Sequence, residues 1–316
     1  MTTTPITHST VRNGAIELAV QEQGNPSGET LVLVHGWPDT HELWHHVVPL
    51  LADTFRIISY DTRGAGASTV PTRLADYRLP LLADDFFHVI DAVSPTEKVH
   101  VLAHDWGGIE VWEAVASLRA AERIASFTVT SGPNLDVLGS WAHETLSRPT
   151  PRNLSGPLKQ VIASYYTGLF QLPKLPEFVL RRGLAQRWAR FLGVFDGLDP
   201  AQVRTASTLP DDMANGVNRY RANIAPKLRR PEPRTISIPV QAVINQRDRA
   251  VLRGHYEHYD RFVPRLTRTP LDSGHWAPFS HPAELAAATR DFAAQHPARP
   301  GSTPPAREHQ AGHGDS

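Results

Sequence analysis

Val99-His-Val-Leu-Ala103-His104-Asp105-Trp106-Gly107-Gly108 reads as a strand that runs straight into a small-x-Asp-x-small turn, with a helix opening behind it. Small residues flank the central position of such a turn because its backbone is strained and closely packed. The central residue is usually Ser, and here it is Asp105. A carboxylate needs no base to deprotonate it, and it can displace a leaving group at an alkyl carbon to give an ester. The other reading of Asp105 is a plain N-cap of the following helix.

The pattern extends outward on both sides of this turn. Strand-like apolar runs occur at Leu31–Val34, Phe55–Tyr60, Val99–Ala103, Ala125–Val129, Val240–Ile244 and Arg265–Thr269. Helical patterns at His41–Leu51, Leu81–Val93, Ile109–Leu118 and Pro282–Gln295 lie among them. Strands that alternate with helices predict a mostly parallel sheet covered on both faces. The alternation stops from about Asn134 to about Arg234, where aromatics, prolines and helical segments replace it. The expected organisation is therefore core residues 1–134, a helical cap over 135–234, returning core over 235–296 and a tail over 297–316. An insertion at this point sits at the carboxyl edge of the strands, where ligand sites form. Residues 1–8 and 297–316 are polar or rich in Pro, Gly, Ser and His, and such compositions predict disorder. His309 and His313 in that tail read as solvated rather than metal-binding.

Composition narrows the function classes. The 316 residues carry 41% hydrophobic and 20% charged side chains, with 32 basic and 32 acidic groups in balance. This is the make-up of a globular enzyme and gives no footprint for nucleic acid. With no cysteine, disulfides, thiolate metal sites and a Cys nucleophile are excluded. The N-terminus lacks a basic stretch followed by an apolar run, and no segment has the length of a membrane span. A cytoplasmic location without stable membrane insertion is the expectation. Phe178–Leu192 is a basic amphipathic stretch that reads as a cap helix with solvated arginines, or as a contact for a membrane or lipid-like substrate.

Three further segments complete a reaction site. Leu31-Val-Leu-Val-His35-Gly36-Trp37-Pro38-Asp39 is a strand ending in a His-Gly-x-Pro loop. Beside an elbow, such a loop supplies one backbone N–H of an oxyanion hole, and the residue after the elbow supplies the other. Trp37 and Trp106 are the residues so placed. A buried strand leads into a loop carrying Asp248, and Gly274-His275 follows the last strand. The chain order Asp105, Asp248, His275 is nucleophile, acid, base. His275 would activate water and Asp248 would orient its ring. Asp136 is the alternative acid position. His41-Glu42-Leu-Trp-His45 fits the zinc-protease pattern but opens where the first core helix belongs and lacks a third ligand, so no metal is expected. Gly64-Ala-Gly-Ala-Ser68 lacks the Lys of a phosphate loop, and Asn153-Leu-Ser155 is a sequon without a secretory route.

Together, His35–Pro38, Tyr60-Asp-Thr-Arg-Gly64 through Ser68, His104–Gly108 and Gly274-His275 make residues 10–296 resemble the epoxide hydrolases of the α/β-hydrolase fold. The resemblance implies a mostly parallel, eight-stranded-type sheet with an inserted helical cap. It also implies an epoxide substrate, no cofactor, and two cap tyrosines that hold the epoxide oxygen. Ser164-Tyr165-Tyr166-Thr-Gly-Leu-Phe170-Gln-Leu-Pro173 resembles the segment of the first, with Tyr166 in register and Tyr165 as the neighbouring alternative. Asn218-Arg219-Tyr220-Arg221 resembles the segment of the second, Tyr220. Trp37, Trp106, Tyr165 and Phe170 are the expected substrate contacts. Related haloalkane dehalogenases usually have Asn where Trp37 stands, and fluoroacetate dehalogenases have Arg where Trp106 stands. A dehalogenase and a non-catalytic receptor that keeps the pocket remain the alternatives, and a homodimer is allowed.

Overall fold

The apolar runs form one sheet of eight strands: β1 (Thr7–Asn13), β2 (Ile16–Gly24), β3 (Glu29–Val34), β4 (Phe55–Tyr60), β5 (Val99–His104), β6 (Ile124–Thr130), β7 (Val240–Asn245) and β8 (Leu266–Leu271). This is a computed structural model, and it describes residues 5–148, 159–160, 163 and 165–298. The spatial order is β1-β2-β4-β3-β5-β6-β7-β8. β2 pairs antiparallel with β1 and β4, and every other pair is parallel. β5 and β6 are buried along their whole length, as central strands covered by helices on both faces must be.

The helices follow from their apolar spacing. In α1 (Leu79–Val93), Leu79, Leu82, Ala83, Phe86, Phe87, Val89 and Ile90 are buried, which is one continuous helical face. α2 (Trp106–Val115) starts directly after Asp105, and α6 (Pro282–Ala294) closes the described core; the described α-helices of eight residues or more between them are α3 (Leu135–Ser147), α4 (Trp188–Phe195) and α5 (Leu209–Arg229). The helix expected over His41–Leu51 is divided. A 3-10 turn spans His41–His46, and a short helix restarts at Val48–Leu51 around Pro49, which has no N–H to continue the first ladder.

Two expectations about the ends need correction. Residues 1–8 are not wholly loose, because Thr7 and His8 pair with Glu22 and Gln21 in the β1–β2 hairpin. At the other end, the Ala298 N–H donates to Glu29 Oε1 at 3.0 Å. Residues 1–4 and 299–316, including His309 and His313, and the sequon at Asn153 lie outside the described residues.

The order in which successive strands are added reverses between β3 and β5. β4 lies on one side of β3, and β5 followed by β6 lies on the other. The loops leaving β3 and β5 therefore diverge and leave a crevice at their carboxyl ends, where α/β sheets bind ligands. Val34 is paired with Ala103, which brings the His35–Trp37 loop beside Asp105.

No strand occurs among the described residues between Thr130 and Val240. α3 opens with Asn134 accepting from the N–H groups of Asp136 and Val137 at 3.0 and 3.1 Å. α5 anchors this insertion to the core. Its Arg219 is buried, forms an ion pair with buried Glu110 of α2, and donates to Thr62 Oγ1 at 2.6 Å and the Arg63 carbonyl at 2.8 Å. Removing one partner of such a pair strands the other charge. Arg219→Met should therefore lower stability by about 3–5 kcal/mol in urea denaturation. A loss below about 1 kcal/mol, the range of an exposed pair, would show that this contact does not anchor the insertion.

Candidate active site

Asp105 sits at φ 49°, ψ −122°, a strained conformation for a residue with a Cβ. Its N–H donates to the Thr130 carbonyl at 3.2 Å and its carbonyl accepts from the Ile109 N–H at 3.0 Å, so strand and helix hold the turn from both ends. The carboxylate does not cap the helix it precedes. Instead, Oδ1 accepts the Trp37 N–H at 2.8 Å. A Cβ at Gly36 would lie 2.5 Å from that Oδ1 and 2.6 Å from the Trp106 nitrogen, so only glycine lets the β3 loop close on this corner. Of the two expected N–H positions, that of Trp37 thus meets the carboxylate directly, and that of Trp106 lies on the same corner.

His35 holds the same loop. Its ring is buried and its pKa falls to about 4, chiefly through desolvation, so it is neutral. Nε2 accepts the Thr62 N–H at 2.9 Å, which leaves the proton on Nδ1, 2.9 Å from the Gly36 carbonyl. That donation fixes the turn that aims the Trp37 N–H.

The other oxygen, Oδ2 of Asp105, faces His275 Nε2 across 3.6 Å, too long for an ordinary hydrogen bond. On the far side of the ring, Nδ1 lies 3.0 Å from both oxygens of Asp248. Asp248 also accepts from Ser131 Oγ at 2.8 Å and from the N–H groups of Ala250 and Val251 at 2.8 and 2.9 Å. Burial alone would raise the Asp248 pKa, but His275 and these donors bring it below the ordinary carboxylate value. Burial would likewise lower the pKa of His275, yet the two carboxylates push it well above the ordinary value. The two carboxylates that flank the ring thus favour its protonated form. The alternative acid, Asp136, lies elsewhere, paired with Lys227 at 2.7 Å and accepting the Glu232 N–H at 2.9 Å.

Two carboxyl groups here had no role in the sequence reading. Asp39, two residues beyond Trp37, accepts the Trp276 indole N–H at 2.9 Å. Burial raises its pKa to about 7, helped by the charge of Asp105. Asp196, at the end of α4, accepts the N–H of His275 at 2.6 Å and of Trp276 at 2.8 Å. A Cβ on Gly274 would fall 2.1 Å from Asp196 Oδ1, so the glycine before the histidine makes room for this clamp. Only the glycine was a signal in the sequence. Nothing in the spacing linked position 196 to position 275.

Above Asp105 lies a cavity of about 310 Å³, walled by apolar groups that include Leu135, Leu138, Trp141, Ile224, Leu228 and Val251. Tyr166 and Tyr220 reach it from the insertion, their rings 5.9 Å apart. Burial raises both phenol pKa values, helped at Tyr166 by the charge of Asp105 and at Tyr220 by Tyr166 and then Asp105, so both keep their protons. Tyr165 also borders the cavity but is 70% exposed. Trp106 lines the cavity. Trp37 and Phe170, expected as substrate contacts, do not. Their rings pack edge-on against Tyr220, and the Trp37 indole N–H is taken by the Met213 carbonyl at 2.9 Å.

The His-Glu-x-x-His segment is no metal cradle. In a 3-10 turn, positions three apart share a face, so His41 and His45 diverge. His41 Nδ1 pairs with Asp61 at 2.7 Å, and Glu42 pairs with Arg204 at 2.8 Å. No cluster of three or more His, Cys, Asp or Glu suited to a metal occurs among the described residues.

A family model described as alpha/beta hydrolase fold matches residues 29–282. Probable oxidoreductase EphD of Mycobacterium tuberculosis is 42% identical over 284 residues, covering 88% of this chain and 48% of that protein. The chain thus spans about half the length of this relative. Mouse epoxide hydrolase 3 is 26% identical over 285 residues, covering 87% of this chain and 73% of that protein. Among solved structures, an epoxide hydrolase of the alpha/beta hydrolase superfamily from hot-environment metagenomes superposes with a TM-score of 0.72 at 24% identity, covering 93% of this chain and 100% of that one. The Bacillus megaterium epoxide hydrolase bound to an inhibitor gives 0.71 at 20% identity, covering 90% of this chain and 99% of that one.

Two measurements test this geometry. Nitrogen NMR should find both ring protons on His275 well above the ordinary histidine pKa of 6.5, and Asp248→Asn should bring the titration down. Because the folded pKa is raised, the associated stability is complete below about pH 6.5 and is lost as pH climbs through the folded value. Asp196→Ala should speed amide exchange at His275 and Trp276 by about tenfold or more, since a charge-assisted hydrogen bond contributes about 1.5–3 kcal/mol.

Proposed function

The chain belongs to the alpha/beta hydrolase fold family, and from that premise we propose that it is an epoxide hydrolase acting through an ester on Asp105. The observation that carries the proposal is the pairing of Asp105 with two protonated phenols, Tyr166 and Tyr220, in one apolar cavity. An epoxide opens to an alkoxide, which needs a proton; a departing halide needs none. The epoxide hydrolase names of the mouse relative and of the Bacillus megaterium structure agree with this reading. The oxidoreductase name belongs to a relative about twice as long as this chain.

In this reading the segment carrying the tyrosines is a cap over the site. Asp105 Oδ1 stays against the Trp37 N–H while Oδ2 attacks an epoxide carbon. The ring C–O bond breaks, its electron pair remains on oxygen, and a phenol supplies the proton. Asp105 thereby loses its charge, and with it one of the two anions that keep His275 protonated. The imidazolium can then give its proton to the phenolate and become a neutral base. A water beside the ester loses a proton to the neutral Nε2 of His275, and its hydroxide adds to the ester carbonyl carbon. The resulting oxyanion lies against the N–H groups of Trp37 and Trp106. Collapse expels the diol alkoxide, which takes the carboxyl proton of Asp105. The cycle restores the carboxylate and the imidazolium, and consumes one water for one diol without a cofactor.

In single turnover in heavy-oxygen water, the first diol should carry an oxygen from Asp105, and Asp105→Ala should form no diol. A solvent oxygen in that first diol would falsify the ester route. Tyr166→Phe combined with Tyr220→Phe should slow ester formation from an epoxide by about 100-fold or more. If the double variant instead releases halide from haloalkanes at the wild-type rate, with epoxides untouched by either protein, the activity is dehalogenation.

A further inference from the structure

The outer face of the insertion is apolar where a solvated helix should be polar. Residues 175–195 are continuously helical, passing from Leu175–Val179 through a wider π-helical turn at Leu180–Leu184 and a 3-10 turn at Ala185–Arg187 into α4. Pro176, Leu180, Ala185, Trp188 and Leu192 are buried at helical spacing, and they account for the inward face. Yet Leu175, Phe178 and Val179 on the other side are 55%, 60% and 51% exposed. Leu169, which ends the short helix just before, and Leu172, in the turn that follows it, are 52% and 44% exposed. Among the described residues, six of the fourteen strongly exposed large apolar side chains fall between Tyr165 and Val179. Scattered exposure is normal, but a concentration of this kind marks an interaction surface.

The segment is not a frayed one. Arg221 of α5 donates to the carbonyls of Phe170 and Leu172 at 2.7 and 2.5 Å and pairs with Glu177 at 2.5 Å. That clamp holds the turn and the start of the helix as one unit and keeps the apolar groups facing outward.

Charge selects the partner. The chain as a whole is neutral, but residues 165–195 hold five basic groups and one acidic one. The acidic group, Glu177, is already paired with Arg221. Arg181 is paired with Asp211, whereas Lys174 and Arg182 flank Phe178, with the Arg182 guanidinium 5.6 Å from its ring. An apolar ridge rimmed by Lys and Arg complements an anionic bilayer, whose headgroups meet the rim while its acyl boundary receives the ridge. We propose that this face docks reversibly on anionic membranes. Tyr165–Gly168 of the same segment wall the cavity over Asp105, so docking sets the cavity beside the lipid. If the epoxide reading holds, membrane-partitioned, lipophilic epoxides are then the favoured class of substrate.

The test is vesicle co-sedimentation of the full chain, which measures no turnover and therefore stands or falls apart from the epoxide reading. Binding to phosphatidylcholine vesicles containing phosphatidylglycerol should exceed binding to phosphatidylcholine alone by about tenfold or more and weaken with added salt. Leu175→Asp with Phe178→Asp should abolish it, and Lys174→Glu with Arg182→Glu should remove the preference for anionic lipid. All four sites are exposed, so melting temperature should hold in both variants. Equal binding to both vesicle types, or binding unchanged in the variants, overturns the proposal. So does a concentration-dependent dimer in light scattering that the Leu175→Asp, Phe178→Asp variant dissolves, for then the ridge meets a second copy of this chain.

Discussion

Asp105 is held at a backbone angle that its own Cβ disfavours, at a cost of about 1–3 kcal/mol. Without that twist the side chain would point along α2 and cap it, as an aspartate before a helix ordinarily does. The twist survives because it is over-determined. β5 and β6 fix the entry through Thr130, α2 fixes the exit through Ile109, and the reversal of strand order beside β3 places the Trp37 N–H where the carboxylate must go. The remainder of the site is arranged around the two distinct oxygens this leaves. One is satisfied by backbone and the other faces a histidine.

That division has an electrostatic counterpart. One imidazole lies between Asp105 and Asp248, with Asp39 on Trp276 next door. Three carboxylates and one cation cannot all be comfortable in a buried space. Desolvation resolves the conflict unevenly. Asp248, with three donors besides His275, stays ionised; Asp39, with the Trp276 indole as its donor, has its pKa raised to about 7. The donors around each group, more than its residue type, decide its charge. A change of charge on Asp105 is consequently felt at once by His275 and Asp39, which are its neighbours in the same poorly screened space.

Much of this was legible in the sequence because it is local. The elbow, the His-Gly-x-Pro loop and the Gly-His turn each join a strand end to a small residue, and both kinds of signal survive in a linear reading. The β1–β2 hairpin was passed over because Thr7–Asn13 is polar and buries little, although Asn13-Gly14, with Gly14 at φ 58°, is a strong turn signal. The 3-10 turn at His41 was hidden because a helical period of 3.6 and one of 3.0 are hard to separate over six residues. Asp196 was invisible for a different reason. Its function is to reach the backbone of a residue 79 positions away, and backbone N–H groups leave no trace in residue identity. The place of the Trp37 indole was likewise not legible, because its N–H is taken by a carbonyl of α5 that sequence spacing does not reveal.

These long-range contacts share a direction: they run from the insertion into the core. Three successive residues of α5 point to three places. Arg219 reaches Glu110 beneath the elbow, Tyr220 stands over Asp105, and Arg221 clamps the segment from Phe170 to Glu177. Successive positions on a helix point about 100° apart, so one short stretch can serve the core, the cavity and the outer turn at once. At the end of α4, Asp196 grips the backbone of the histidine loop. A shift of the insertion large enough to move Tyr220 would therefore pull on Arg219 and Asp196 as well, and would disturb the elbow's support and the aim of His275 together. The phenols, the carboxylate and the imidazole keep a common geometry because the same segment that brings in the first also braces the other two.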